Sequence, residues 1–435
     1  MQALAEAPVL SLLNALRSAE LPLDEWLGYL QERFEAIEPA LQALVPEDGR
    51  FERLGREARA LVASYPEPLN RPPLFGLVVG VKDIFHVSGM PTRAGSRLPA
   101  EALAGREARS VGLLKQAGAL VLGKTVSTEF AYFAPGPTRN PHRPDHTPGG
   151  SSSGSAAAVA AGLCPLATGT QTIGSISRPA SFCGVTGFKP TYDRISRDGV
   201  VPLAPSLDHV GVFAREVAGA EVAASILCPD WHIAVREELP VLAIPEGPYL
   251  DKASAEGQTH FERTWQRLEA AGCKVMAVPA FADLDAIVER HSLILAAEAA
   301  TVHANWYAEY GYLYDARTVE LIQRGRKISV GQLAEALNGR QRLRKRLSRE
   351  MEKHAIDLWI APAAPGPAPA GLEATGDPIM NLPWTHTGLP TMTLPAGTSS
   401  DGLPMGLQLA GRWYEDEALL EWAAALEPIV RLPGV

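Results

Sequence analysis

Three short stretches of this sequence carry residue types that could do chemistry together: one lysine and two serine-rich loops. Lys82 closes an apolar run, residues 148–158 read Pro-Gly-Gly-Ser-Ser-Ser-Gly-Ser-Ala-Ala-Ala, and residues 169–179 read Gly-Thr-Gln-Thr-Ile-Gly-Ser-Ile-Ser-Arg-Pro. A serine hydroxyl is a weak nucleophile until a neighbouring base takes its proton, and a neutral lysine can be that base in place of histidine. The combination predicts a serine hydrolase with a lysine base.

Lys82 follows residues 77–81, a short run of apolar and β-branched residues that is typical of a buried strand. A lysine can act as a general base only if burial lowers its pKa towards neutrality, and such a strand could supply that burial. The alternative is a structural lysine that pairs with Asp83 or extends its ammonium group to water. The motif alone favours the structural role, and the two serine loops shift the balance towards the base.

The first loop has several possible roles. A serine before an alanine-rich helix is an ordinary N-cap. A glycine-rich loop can also bind phosphate, but no Gly-Lys-Ser/Thr follows, so we reject a nucleotide-binding loop. Residues 150–154 fit G-x-S-x-G, which would make Ser152 the nucleophile on a turn after a strand. The preceding residues 140–148 contain three prolines and cannot form a central strand, so we discount this role for Ser152.

The second loop, residues 169–175, is built from small residues. Most loops of this composition are plain turns. An active site needs small residues for a different reason, because a tight loop can aim several backbone N–H groups at one point and form an oxyanion hole. Its position after the first serine loop favours this functional role.

The three motifs, in this order, resemble those of the amidase signature family, whose members use a Ser-cisSer-Lys triad. The resemblance is strong from about Leu74 to Arg215 and weaker from about Ile356 to Glu427. It implies that Lys82 is the base, that Ser151 is the bridging serine beside a cis peptide bond, and that Ser175 is the nucleophile. The oxyanion donors that it implies are the backbone N–H groups of Thr172, Ile173, Gly174 and Ser175.

The sequence departs from the usual family wording at four positions. Gln171 stands where Asp is usual, and Ile173 and Ser153 stand where Gly is usual. Arg178 falls two residues after Ile176 instead of directly after it. Backbone donors survive a change of side chain, so we expect the mechanism to be kept. We expect the shape of the acyl pocket near Ile173 to differ.

Composition limits the class of protein. The chain has 435 residues and a formal net charge of −9, which argues against a nucleic-acid surface. Its four cysteines contain no C-x-x-C pair and fit a reducing cytoplasm, and its ten histidines lack metal-ligand spacing. No run approaches the roughly 18 apolar residues of a membrane helix. We expect a cytoplasmic enzyme without cofactor or metal, whose partner is a small-molecule amide, with no nucleic acid and no membrane; a homodimer is left open.

The alternation of helix and strand patterns predicts an α/β fold, with a mainly parallel or mixed sheet and helices on both faces. The family resemblance implies a single domain with a large central mixed β-sheet. Residues 1–70 are predicted to form an N-terminal helical cover on an amidase domain that spans 71–435. Within that domain we expect a signature core at 74–215, a variable helical region at 216–350 and a C-terminal part at 356–435 that completes the sheet. Strand patterns occur at 77–81, 119–123, 164–168, 241–244, 358–361 and 391–394.

Variable loops are expected to build the substrate pocket. Core packing is an equal alternative for the aromatic side chains that could line it. The residues that we predict to line it are Phe130, Tyr132, Phe133 and Trp384.

The predicted function is hydrolysis of a linear carboxylic amide through an acyl-enzyme on Ser175, with release of ammonia or an amine. The main alternative is a partner-dependent amidase subunit of a glutamine amidotransferase, which would use the same triad. The variable region lacks the tyrosine-rich stretch in which such subunits resemble each other, so the sequence favours the first function. A non-catalytic scaffold is disfavoured because Lys82, Ser151 and Ser175 are all retained.

Overall fold

One mixed β-sheet runs through the protein in the computed structural model, which describes residues 7–236 and 238–431. Within this described part the sheet has ten strands in the order β2-β1-β3-β5-β4-β9-β10-β8-β6-β7. The strands are β1 (Val78–Lys82), β2 (Leu120–Thr125), β3 (Leu166–Gln171), β4 (Thr186–Lys189), β5 (His209–Ala214), β6 (Val241–Glu246), β7 (Lys274–Pro279), β8 (Leu358–Pro362), β9 (Thr391–Thr398) and β10 (Pro404–Ala410).

Strands pair in parallel at both ends of the sheet and antiparallel in its middle. β1 runs parallel to both of its neighbours, β2 and β3, and β6 runs parallel to β8 and β7. The strands from β3 through β5, β4, β9 and β10 to β8 pair antiparallel. Every residue of β1 and β3 is buried, as expected of strands covered on both faces.

Helices cover both faces of the sheet and bury its apolar side chains in a core that runs from Val9 to Val430. The fold class predicted from the sequence, α/β with a central mixed sheet, is therefore confirmed. The helices are α1 (Val9–Ser18), α2 (Leu23–Leu41), α3 (Arg50–Ser64), α4 (Arg109–Gln116), α5 (Ser153–Ala160), α6 (Ser177–Cys183), α7 (Val217–Leu227), α8 (Ala255–Ala270), α9 (Leu284–Val302), α10 (Ala304–Tyr310), α11 (Ala316–Gly325), α12 (Val330–Lys353), α13 (Leu382–Thr387) and α14 (Asp416–Val430).

The chain after α2 is joined to the edge of the sheet by hydrogen bonds. Val45 N–H donates to the Lys124 carbonyl, and Val126 N–H donates to the Ala43 carbonyl. The carboxylate of Glu38, in the last turn of α2, accepts from the N–H groups of Ala43 (3.1 Å) and Leu44 (2.7 Å). One buried side chain thus satisfies two backbone donors where the helical cover meets β2.

Glu38→Ala is expected to lower the free energy of unfolding by about 1–3 kcal/mol, because it leaves two buried N–H groups without an acceptor. Glu38→Gln keeps one acceptor oxygen and is expected to cost less. Urea denaturation measures both. Glu32→Ala, on the exposed side of the same helix, is the control, and an equal loss in that variant would contradict the capping role.

Candidate active site

Lys82 lies at the carboxyl end of β1 and is fully buried. Its Nζ is 2.7 Å from Ser151 Oγ and 2.8 Å from Thr170 Oγ1. β1 and β3 are parallel neighbours, so their carboxyl ends meet at one edge of the sheet, and this places Thr170 of β3 beside the lysine. The structure therefore brings Lys82 and the first serine loop into direct contact.

The surroundings of Lys82 favour a neutral amine. Burial lowers its pKa well below the ordinary value of 10.5, and the nearby Asp208 carboxylate opposes this shift only in part. Burial in turn raises the pKa of Asp208. Asp83 does not pair with Lys82, because its carboxylate lies 2.8 Å from Lys124 Nζ. The structural ion pair that the sequence offered as an alternative is thus formed by a different lysine.

Ser151 is held in a loop with a defined backbone. The Gly150–Ser151 peptide bond is cis. The Ser151 carbonyl accepts from Thr128 N–H at 3.1 Å, and the Gly150 carbonyl accepts from the Arg178 guanidinium at 2.7 Å. The following helix α5 packs so closely that a Cβ on Gly154 would lie 2.1 Å from the Ala43 carbonyl oxygen. Small residues in α5 thus let the loop approach the base.

Ser152 and Ser175 have different surroundings. Ser152 is fully buried, and its hydroxyl donates to the Thr170 carbonyl at 3.3 Å, which is a structural role. Ser175 follows β3 in the second loop and keeps 6% of its surface exposed, against 1% for Ser151. Of the two hydroxyls, that of Ser175 is therefore the more accessible, and that of Ser151 is the one in contact with the buried base.

The loop around Ser175 presents free backbone donors. Within residues 7–236 and 238–431, the N–H groups of Thr172, Ile173, Gly174 and Ser175 find no acceptor. Thr172 Oγ1 donates to Asp208 at 2.6 Å, and the Gly174 carbonyl accepts from Arg178 N–H at 3.0 Å, which anchors both ends of the loop. Four successive N–H groups without a protein acceptor in this part of the chain are available for the oxyanion hole that was predicted from the sequence.

Two cavities lie in this region: one of about 320 Å³ is lined by Thr170, Thr172 and Asp208, next to the second serine loop. The other, of about 340 Å³, lies nearer to the first serine loop. Tyr132 and Phe133 form its aromatic wall, and Thr375 connects it to the first serine loop, since a Cβ on Gly150 would lie 2.7 Å from Thr375 Cγ2. The charged side chains at the cavity are those of Arg317, Glu320 and Glu373.

The other two aromatic residues predicted for the pocket lie elsewhere. Phe130 is buried and packs against the rings of His303 and Tyr314. Trp384 is fully buried in the core, where its Nε1 donates to the Tyr249 hydroxyl at 2.9 Å. These two side chains pack in the core, which was the alternative to a place in the substrate pocket.

Three residues with a part in this geometry were missed by sequence reasoning. Thr170 is the second partner of Lys82, Asp208 is the carboxylate that acts on its pKa, and Arg178 ties the first serine loop to the Gly376 carbonyl at 2.5 Å. Thr170 and Arg178 lie inside the second motif, and an arginine with no acidic residue near it in sequence was the available signal.

An α/β sheet with a buried lysine and two serine loops at the carboxyl ends of β1 and β3 is typical of a class of hydrolases that act on amides. This chain belongs to the amidase family, whose family model, described as Amidase, matches residues 25–420. The resemblance inferred from the motifs is thereby confirmed.

Relatives and solved structures agree with this family. The chain is 36% identical to a glutamyl-tRNA(Gln) amidotransferase subunit of Thermus thermophilus, over 93% of each chain. A crystal structure described as an amidase has a TM-score of 0.89 and 31% identity, covering 98% of this chain and 100% of its own. The peptide amidase from Stenotrophomonas maltophilia has a TM-score of 0.82 and 26% identity, covering 97% of this chain and 96% of its own.

The prediction about partners was wrong. We expected only a small-molecule amide and no nucleic acid, whereas the curated relatives are subunits of an amidotransferase named for a tRNA. The expectation rested on the net charge of −9. The charge of one chain describes the field of that chain alone, and it does not report on an assembly that contains other subunits.

The described residues offer neither a membrane-spanning helix nor a cluster of metal ligands. None of their helices combines the length and the apolar character needed to cross a bilayer. In the same part of the chain, no three side chains of histidine, cysteine, aspartate or glutamate come together as ligands for one metal ion.

Lys82→Met is expected to abolish amide hydrolysis without lowering the free energy of unfolding at pH 7. Burial lowers the pKa of Lys82 in the folded chain, so the unfolded chain binds this proton more readily, and wild-type stability rises with pH between the lowered pKa and about 10.5. Methionine removes both the burial cost and this pH dependence. Urea unfolding at pH 7 and pH 9 measures both effects. A strongly destabilised variant with wild-type pH dependence would show that Lys82 is charged in the folded protein.

Proposed function

We propose that this chain hydrolyses a carboxamide through an acyl-enzyme on Ser175, and that it does so as the amidase subunit of a glutamine amidotransferase. The observation that carries the chemistry is the 2.7 Å contact between Ser151 and the buried Lys82 amine, whose pKa is lowered by that burial. The amidotransferase relative named above supports the proposed role as a subunit, because the match covers 93% of each chain.

In the first half of the reaction, neutral Lys82 takes a proton from Ser151 Oγ, and Ser151 takes one from Ser175. Ser175 Oγ then attacks the amide carbonyl carbon. The negative charge that develops on the carbonyl oxygen is stabilised by the free N–H groups of residues 172–175. Ser151 returns a proton to the nitrogen, and the C–N bond breaks with release of ammonia or an amine.

In the second half, water enters the site and gives a proton to the same relay. The resulting hydroxide attacks the acyl carbon and forms a second oxyanion, which the same N–H groups stabilise. The bond to Ser175 Oγ then breaks, and the carboxylic acid is released. The proton returns to Ser175, which restores the starting state.

A second candidate is hydrolysis of linear amides by this chain alone. The solved structure described as an amidase supports it, since that chain is covered over its full length and shares 31% identity with this one. Both candidates use the same residues and differ in whether another subunit is needed.

Purification of the chain alone, followed by measurement of ammonia released from glutamine and from a panel of primary amides, separates the two candidates. Turnover that appears only when the other amidotransferase subunits of the source organism are added supports the first candidate. Full turnover by the isolated chain, unchanged by added subunits, would favour the second candidate.

Ser175→Ala is expected to reduce amide hydrolysis by more than about a thousandfold while the protein stays folded, because Ser175 Oγ is the atom that forms the acyl-enzyme in the proposed reaction. Ser152→Ala is expected to keep most of the activity, since the Ser152 hydroxyl faces the Thr170 carbonyl. Ammonia release and thermal unfolding are the measurements. Near-normal activity in a folded Ser175→Ala variant would remove Ser175 from the mechanism.

Thiol alkylation of the native protein is expected to leave activity unchanged. The four cysteines are free and buried, and burial raises the pKa of the Cys164 thiol to about 12. A buried neutral thiol reacts poorly with iodoacetamide. Free thiols also support our proposal that the protein works in the reducing cytoplasm. Inactivation that parallels labelling of one cysteine would place a thiol in the mechanism.

A further inference from the structure

A buried glutamine stands at the end of β3, directly before the loop that carries Ser175. The side-chain oxygen of Gln171 accepts hydrogen bonds from the backbone N–H groups of Ile176 (2.8 Å) and Ser177 (2.9 Å). Its side-chain nitrogen donates to Thr385 Oγ1 at 2.9 Å. The carboxamide therefore uses its acceptor and one of its donors inside the protein.

Thr385 extends this contact to the other side of Ser175. Its hydroxyl donates to the Ile173 carbonyl at 2.6 Å. The Ile173 carbonyl and the Gly174 N–H belong to one planar peptide unit and point in opposite directions. A hydrogen bond that holds the carbonyl towards α13 therefore turns the Gly174 N–H away from α13.

We infer that Gln171 is a positioning residue, which fixes the direction of the oxyanion N–H groups through Thr385 and through the start of α6. The inference rests on the proposed function, in which these groups stabilise an oxyanion. The hydrogen bonds run from Ile176 through Gln171 and Thr385 to Ile173, so they hold the peptide units on both sides of Gly174 and Ser175. Donors that are already oriented need no reorganisation when charge develops.

The neutral charge of Gln171 is part of this role. A carboxylate could accept the same two N–H bonds, but it could not donate to Thr385. The Thr385 hydroxyl would then turn to the carboxylate and release the Ile173 carbonyl. A carboxylate would also place negative charge near donors that must stabilise a second negative charge. Gln171, at the position where the family usually has Asp, supplies the acceptor and the donor without adding charge.

An alkyl fluorophosphonate tests this geometry without knowledge of the natural substrate. Ser175 Oγ forms a bond to phosphorus, the P–F bond breaks, fluoride leaves, and the serine proton passes to the Ser151–Lys82 relay. The phosphoryl oxygen then occupies the oxyanion site. Intact-protein mass spectrometry gives the rate of labelling at saturation and the apparent dissociation constant of the probe, and peptide mapping gives the labelled residue.

Gln171→Glu and Thr385→Val are each expected to lower the saturating labelling rate at least about tenfold, with the dissociation constant of the probe unchanged. The double variant is expected to be no slower than the slower single variant, because both changes break one chain of hydrogen bonds. Thr387→Val is the matched control on the same helix. Its hydroxyl donates to the Trp384 carbonyl, away from the loop, so it is expected to label at the wild-type rate.

Dependence on pH separates positioning from general damage to the fold. At low pH the carboxyl group introduced by Gln171→Glu gains a proton and can again donate to Thr385 while its carbonyl oxygen accepts. The labelling rate of this variant relative to wild type is therefore expected to rise as the pH falls. A ratio that does not change with pH, a change confined to the dissociation constant, or additive effects in the double variant would overturn the inference.

The experiment distinguishes failure of the proposed function from failure of the inference about Gln171. A wild-type protein that is not labelled at Ser175 would overturn the proposed function, and the inference with it. Labelling at Ser175 that is as fast in Gln171→Glu and Thr385→Val as in wild type would overturn the inference alone.

Discussion

The burial of one amine, that of Lys82, is the constraint on which the rest of the site depends. A lysine that is out of water loses the hydration of its charge, and this disfavours the protonated form far more than the nearby Asp208 can favour it. The burial comes from the strand itself, since β1 has neighbours on both sides and all of its residues are covered. The position of Lys82 at the sheet edge then decides where the two serine loops must lie.

The loops are held from opposite directions. Strands β1 and β3 and helix α5 hold the base and Ser151 from the parallel end of the sheet, through close contacts that only small side chains allow. Residues 375–385 hold the same loops from the C-terminal part of the chain, through Arg178, Gln171 and Thr385. The reacting atoms therefore lie at a junction of distant segments, and this explains why most of their hydrogen bonds join residues far apart in sequence.

Sequence patterns predicted the parts of this arrangement that have a local cause. The run before Lys82 gave β1, and the alanines after Ser153 gave α5. Strands β4, β5, β7 and β10 were not predicted from the sequence. β4 has four residues, β7 is largely exposed at the edge of the sheet, and β10 begins with a proline and contains Gly406. These strands form because neighbouring strands supply hydrogen-bond partners, which is a tertiary effect that no short window contains.

The candidate site shows the same division between local and distant causes. Motif resemblance singled out Lys82, Ser151 and Ser175, and the structure places the first two in contact. The resemblance could not explain Gln171, which departs from the family, because its hydrogen-bond partner Thr385 is 214 positions away. Trp384 was chosen as an aromatic side chain that could face a ligand, but its indole N–H and its flat faces are satisfied in the core.

The distances along the chain also set the order in which the site can be completed during synthesis. The hydrogen bonds of Arg178 to Thr375 and of Gln171 to Thr385 span 197 and 214 positions. A nascent chain that has emerged as far as α12 already contains the lysine, both serines, Gln171 and Arg178. It does not yet contain residues 375–385, which brace the loops from the C-terminal part of the chain. The growing chain thus passes through most of its translation with the predicted triad already made and its loops only partly braced, and the remaining bonds can form only after Thr375 and Thr385 have left the ribosome.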